Sequence, residues 1–172
     1  MNYAIYYNSV TGNTKILADH IHSQMKENCL YSGNADDPKI EGADLVFVGF
    51  WTDKGRCSDP VIELLKKIKH KKIFLFGTAG FGGSPEYFER ILSNVEKYVD
   101  PTCEVVGRYM CQGKMPMSVR ERYQKMYDSD PQNEQFQSLL NNFDQAKKHP
   151  NQEDLDTLTI QLKSMIKAIQ KS

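Results

Sequence analysis

The first twenty-five residues constrain the fold more tightly than any other stretch. Tyr3-Ala4-Ile5-Tyr6-Tyr7 is aromatic and β-branched, the composition of a buried strand. Leu17, Ala18, Ile21 and Met25 then recur at the spacing of one helix face. Between them lies Ser9-Val10-Thr11-Gly12-Asn13-Thr14, a strand-to-helix turn rich in hydroxyls with a glycine at its centre. Such a turn aims backbone N–H groups and three side-chain hydroxyls at one spot, at the positive end of a helix dipole. That is a cradle for a phosphate. No Lys or Arg stands inside it, so hydrogen bonds and the dipole would neutralise the anion. The plain alternative is an ordinary turn, since Asn and Thr are good cap residues in any case. Neither the G-x-x-x-x-G-K-[ST] nor the G-x-G-x-x-G nucleotide pattern is present at this turn.

The strand–helix alternation continues along the chain. Cys29 to Ser32 is a short, weak strand suited to a sheet edge, followed by a polar turn through Gly33, Asn34, Asp36, Asp37 and Pro38. Leu45 to Phe50 is a continuous apolar run, the mark of a parallel strand buried on both faces. It ends in Trp51-Thr52-Asp53-Lys54-Gly55-Arg56-Cys57. Asp59 then caps a helix with Pro60 at its first position and Val61, Leu64, Leu65 and Ile68 on its core face. Ile73 to Phe76 is a further buried strand, and the loop Gly77 to Gly83 carries four glycines in seven residues. Ser84 and Pro85 open a helix with Phe88, Ile91, Leu92 and Val95 inward. Val105 to Met110 is the last strand, leading into a loop at Cys111-Gln112-Gly113-Lys114. The reading is βαβαβαβαβ: a parallel sheet with right-handed crossovers and helices on both faces. In the common order 2-1-3-4-5, the ligand crevice lies where the first and third strands part, outside their carboxyl ends. The loops after strands one, three and four all open onto it.

The first loop resembles the phosphate loop of flavodoxins, [ST]-x-T-G-x-T directly after the first strand, with Ser9, Thr11, Gly12 and Thr14 at its fixed positions. The resemblance covers about the first two-thirds of the chain. It implies an α/β fold, the flavodoxin-like three-layer αβα sandwich, and FMN as a non-covalent cofactor. Ser9, Val10, Thr11, Gly12, Asn13 and Thr14 would surround the phosphate. Phe50, Trp51, Thr52, Asp53 and Lys54 would flank the ring, with Trp51 stacked on it. Thr78, Ala79, Gly80, Phe81, Gly82 and Gly83 would follow its pyrimidine edge. Phe81 would supply a second aromatic where the family more often has tyrosine, and the family's acidic residue in that loop is missing. Cys111 or Gln112 would touch the flavin edge, and Lys114 a partner, unless these residues only connect. The implied function is electron transfer between a reductase and an acceptor enzyme. The enzyme alternative is an NAD(P)H-dependent FMN or quinone reductase of the same fold, and a cofactor-free interaction domain is a third reading.

Beyond Met117 the pattern is purely helical. Ser118 and Glu121 form a capping-box pattern, Asp130-Pro131 opens a second segment with Phe136, Leu139, Leu140 and Phe143, and Asn151 starts a third. Leu155, Leu158, Leu162, Met165, Ile166 and Ile169 stripe that third segment, which is expected to cover the sheet face that the first helix only half covers. With no Gly/Ser linker, residues 1–172 read as one domain, with a flavin-binding core at 1–117 and a helical part at 118–172. Lys plus Arg and Asp plus Glu both count 22, which points away from nucleic acid; the flavodoxins are mostly acidic. No apolar run approaches the roughly 18 residues of a membrane span, and no signal segment is evident, so a cytoplasmic protein is expected, monomer or homodimer. The four cysteines show no C-x-x-C pair and no metal-ligand spacing with histidine. Without a nucleophile–His–acid set, the reactive chemistry would be the cofactor's own.

Overall fold

Strands apolar on both faces have to lie inside a sheet, and the two such runs after the first helix are interior neighbours. In the computed structural model, which describes residues 1–35, 40–82 and 84–171, these are β3 (Leu45–Trp51) and β4 (Lys72–Ala79). β1 (Tyr3–Tyr7) pairs with β3. β2 (Cys29–Asn34) and β5 (Glu104–Gln112) form the two edges, so the sheet is parallel in the order β2-β1-β3-β4-β5.

The helices bury each face in turn. α1 (Asn13–Met25) and α6 (Gln152–Lys171) cover Tyr3, Ile5, Phe47, Phe74 and Tyr109. Leu158, Leu162 and Met165 bring the α6 stripe into that core, as their spacing predicts. α2 (Asp59–Lys67) and α3 (Pro85–Glu96) cover Ala4, Tyr6, Val46, Val48 and Leu75 on the other side. Among the described residues no helix is long and apolar enough to cross a membrane.

Several boundaries differ from the sequence expectation. The described residues between β2 and β3 hold no helix, so among them the alternation is interrupted. That short connection contains Pro38 and Gly42 and has no 3.6-residue apolar period. Of the polar turn, Gly33 and Asn34 belong to β2, while Asp36, Asp37 and Pro38 lie outside the described residues, as does Gly83. β4 and β5 continue past their apolar runs because their neighbours carry the ladder on: Trp51 pairs with Thr78, Thr78 with Cys111, and Ala79 with Gln112. Gly77 is therefore a strand residue, and a Cβ there would stand 2.6 Å from the Phe50 ring. Its glycine is a packing requirement.

The helix starts also shift. Ser58 is the N-cap of α2, and Asp59 is its first residue, paired with Arg56 at 3.0 Å. α4 (Met117–Ser129) begins directly after Pro116, whose fixed φ already precedes a helix. Ser118 is consequently inside the first turn and the capping box does not form. α5 (Glu134–Ala146) is capped by Asn133, whose Oδ1 accepts the Gln135 N–H at 3.0 Å, and Asp130-Pro131 falls in the preceding turn. Asn151 and Asp154 cap α6 reciprocally, at 3.1 and 2.8 Å.

The pair α4–α5 has a small core of its own: Tyr123, Leu140 and Phe143, with Met115 against it. The chain leaves the sheet for this pair and returns at one point, where the Lys114 N–H donates to the His149 carbonyl at 3.0 Å.

Candidate functional site

At the carboxyl ends of β1, β3 and β4 the structure opens a cavity of about 380 Å³. It is lined by Val10, Thr11 and Asn13 from the first loop, and by Trp51, Thr52, Lys54 and Gly55 from the second. Thr78, Ala79, Gly80, Phe81 and Tyr87 line the third side, and Lys114, Met115 and Pro116 close the fourth. Its size lies within the range of small-molecule sites.

The first loop turns at Gly12, the N-cap of α1, with φ +87°. An L side chain in this left-handed conformation costs roughly 1–2 kcal/mol, although open space surrounds the position. The turn lets α1 begin at once, so the N–H groups of its first turn have no helical acceptor behind them. Ser9 Oγ takes the Lys15 N–H at 3.3 Å, and the Gly12 carbonyl takes that of Ile16 at 3.1 Å. Asn13 braces the loop: its Nδ2 donates to Thr11 Oγ1 and to the Lys114 carbonyl, both at 2.8 Å. Its Oδ1 is buried without a partner.

Thr14 differs from the expectation that it offers its hydroxyl to an anion. It is fully buried, with Oγ1 3.2 Å from the Phe50 carbonyl and 3.1 Å from Thr78 Oγ1. The hydroxyl joins α1 to the ends of β3 and β4. The Thr11 hydroxyl accepts from Asn13 and keeps its own O–H for a ligand.

Trp51 is half-buried on the second wall, where its Nε1 donates to Asn8 Oδ1 at 2.9 Å. This bond fixes the indole plane. Thr52 is tied to the Thr78 carbonyl through both its N–H and its hydroxyl, each at 2.9 Å. Asp53 and Arg56 exchange backbone bonds of 2.7 and 3.1 Å across a tight turn, with Lys54 at φ 51° and Gly55 at φ 80°. Positive φ at both central residues is the geometry of a type I′ turn, which suits glycine and taxes lysine. Asn94 of α3 holds this turn from outside, donating to the Gly55 carbonyl at 3.0 Å.

Phe50, Asp53, Ser9, Gly12, Thr14 and Gly82 do not line the cavity, and Gly83 lies outside the described residues. The Phe50 ring packs in the core on the α2–α3 side. Cys111, expected at the ligand's edge, is the penultimate residue of β5 and points into the core beneath α1 and α6. Burial, then the nearby Asp154 carboxylate, pushes its thiol pKa far up. Gln112 does not line the cavity either; its Nε2 donates to the Gly80 carbonyl.

Gly55, Tyr87, Met115 and Pro116 are lining residues that sequence reasoning missed. The signal for Met115 and Pro116 was topological: β5 lies next to β4, so the chain leaving β5 runs beside the loop leaving β4. Among the described residues of the lining, Lys54 and Lys114 are the charged side chains, and no carboxylate stands with them. Aromatic walls, the small lining residues Ala79 and Gly80, and a helix N-terminus suit a flat aromatic ligand bearing an anionic group.

A doubly wound sheet of this order with a hydroxyl-rich loop after β1 defines a flavodoxin-like α/β protein. The flavodoxin-domain family model matches residues 4–163, and the chain belongs to that family. It is 34% identical over 172 residues to the flavodoxin-like domain-containing protein BilS of Clostridium symbiosum, with 90% of each chain covered. It is 32% identical over 173 residues to the protein of the same name from Clostridioides difficile, covering 96% of this chain and 97% of that one. Among solved structures, oxidised flavodoxin 1 from Bacillus cereus shares the fold, with a TM-score of 0.62, 18% identity and 97% and 98% of the two chains covered.

Proposed function

We propose that the protein binds FMN without a covalent bond and carries electrons between a reductase and an acceptor enzyme. One observation carries the reading: the first loop, whose left-handed turn at Gly12 exposes the start of α1, lines the same cavity as Trp51 and Phe81 through Val10, Thr11 and Asn13. The N–H groups at the start of α1 and the Thr11 hydroxyl would hold the phosphate. Trp51 and Phe81 would flank the ring, and the main chain at Ala79 and Gly80 would follow its polar edge. Lys54 and Lys114 would add positive charge at the rim, which the first loop itself lacks.

Bound FMN supplies one- and two-electron transfer, while the chain supplies binding and orientation. The described lining contains no Cys, His, Asp or Glu, so it offers no nucleophile–base pair of its own. The test is the visible absorption spectrum of the purified protein before and after adding FMN. The expected result is saturable uptake of one equivalent, with the flavin bands perturbed and the emission quenched. A colourless protein that takes up no added FMN overturns the reading.

A further inference from the structure

The α4–α5 pair is not needed to complete the sheet, yet one of its side chains reaches the loop after β4. Asn142 of α5 donates through Nδ2 to the Gly80 carbonyl at 3.1 Å. Gln112, at the end of β5, donates through Nε2 to the same carbonyl at 2.9 Å and to Asn142 Oδ1 at 3.1 Å. Gln112 donates twice while Asn142 donates once and accepts once, so the three groups form one closed unit. The loop also packs tightly here. A Cβ on Gly82 would stand 3.0 Å from Gln112 Cβ and Cγ, and one on Gly80 would stand 2.6 Å from Met115 Cγ and Sδ.

The consequence concerns the Gly80–Phe81 peptide. Its carbonyl is saturated by two donors, and neither Gln112 nor Asn142 lines the cavity. Gly80 and Phe81 both do. In a planar trans peptide the N–H points opposite to the C=O. A carbonyl drawn away from the cavity therefore turns the Phe81 N–H towards it. Rotation of the peptide would take the acceptor from half-buried Asn142 Nδ2 and from one N–H of the buried Gln112 amide, at a cost well above that of a mobile loop.

We infer that Asn142 is a positioning residue for the ligand: from the appended helix pair it fixes the Phe81 N–H as a donor to an acceptor atom on the edge of the flavin ring. The inference rests on the FMN reading and gives the appended pair a function in binding. Asn142 acts through the peptide and touches no ligand itself. Because the contact is to the ring, its loss must weaken riboflavin and FMN equally, whereas a phosphate contact would discriminate between them.

The experiment measures dissociation constants for FMN and riboflavin by fluorescence titration of the wild type, Asn142→Asp and Asn142→Ala. Asn141→Ala, exposed on the same helix, is the control. Losing one such hydrogen bond should weaken both ligands by roughly three- to tenfold. The FMN-to-riboflavin ratio and the control affinities should stay unchanged. In the wild type, the Phe81 amide resonance should move downfield when riboflavin is added, a readout that does not depend on any variant folding. Unchanged affinities in both folded variants, a loss for FMN alone, or an unmoved Phe81 amide overturns the positioning role while FMN binding stands. A wild type that binds neither flavin overturns the cofactor reading, and this inference with it.

Discussion

Thr11 and Thr14 stand three residues apart in one motif, and the fold gives them opposite tasks. Thr14 is sealed inside, bonded to the Phe50 carbonyl and to Thr78 Oγ1. Thr14→Val keeps the shape and removes both bonds, leaving a buried carbonyl and a buried hydroxyl short of a partner. Urea unfolding of the apo-protein should show a loss of about 1–3 kcal/mol. Thr11 lies at the cavity surface. Thr11→Val removes only the bond from Asn13 and should shift the midpoint less than Thr14→Val, weaken FMN by roughly tenfold and leave riboflavin almost unchanged, as loss of a hydrogen bond to a charged group does. The motif was legible because its residues are contiguous. The division of labour was not, since the partners of Thr14 lie 36 and 64 residues away. Trp51 was placed correctly at the cavity by its position at the end of an apolar run, but its bond to Asn8 joins two loops and leaves no trace in spacing.

At the scale of elements, apolar stripes were readable and ends were less so. The α2, α3 and α6 faces bury the residues that their periodicity singles out, because an amphipathic stripe has one way to leave water. The starts of α4 and α5 were misplaced because Ser118 and Asp130 are good cap residues that lost to a neighbour: Pro116 sets the chain direction first, and Asn133 completes the cap later. The ends of β4 and β5 were set by ladder partners, which the one-dimensional pattern does not display. The buried α6 stripe gives a direct test. Leu162 is 1% exposed against the sheet, so Leu162→Ala should cost about 2–5 kcal/mol of stability, read from the urea midpoint. The folded variant should keep its FMN affinity, because α6 lies on the sheet face rather than at the cavity.

The whole molecule follows from one sheet order, and that order was legible from the alternation of runs even though the connection from β2 to β3 carries no described helix. The sequence already set the third helical segment apart as the cover for the sheet; what it hid was that the other two pack on each other around a core of their own. α6 is a structural layer, whereas α4 and α5 form an excursion with a separate small core. The Lys114 N–H to His149 carbonyl bond brings the two ends of the excursion together at 3.0 Å. A cut that spares this closure can be bridged by a few residues, since closing a short loop costs little. Replacing residues 117–147 by a short Gly-Ser linker should therefore leave a protein with a cooperative urea transition and the circular-dichroism signature of the sheet. Removing the chain after Pro150 should do the opposite. It uncovers Phe47, Phe74 and Tyr109, and three buried α6 side chains at about 1.5–3 kcal/mol each rival the 5–15 kcal/mol stability of a typical domain. The excised protein should still bind FMN through the Gly12 loop and Trp51. Its affinity for FMN and riboflavin should fall by the same factor as in Asn142→Asp, because both changes take the Asn142 donor from the Gly80 carbonyl and leave it to Gln112 alone. An excised chain that unfolds without cooperativity would show that the excursion supports the sheet, and one that binds both flavins as tightly as the wild type would separate it from the site.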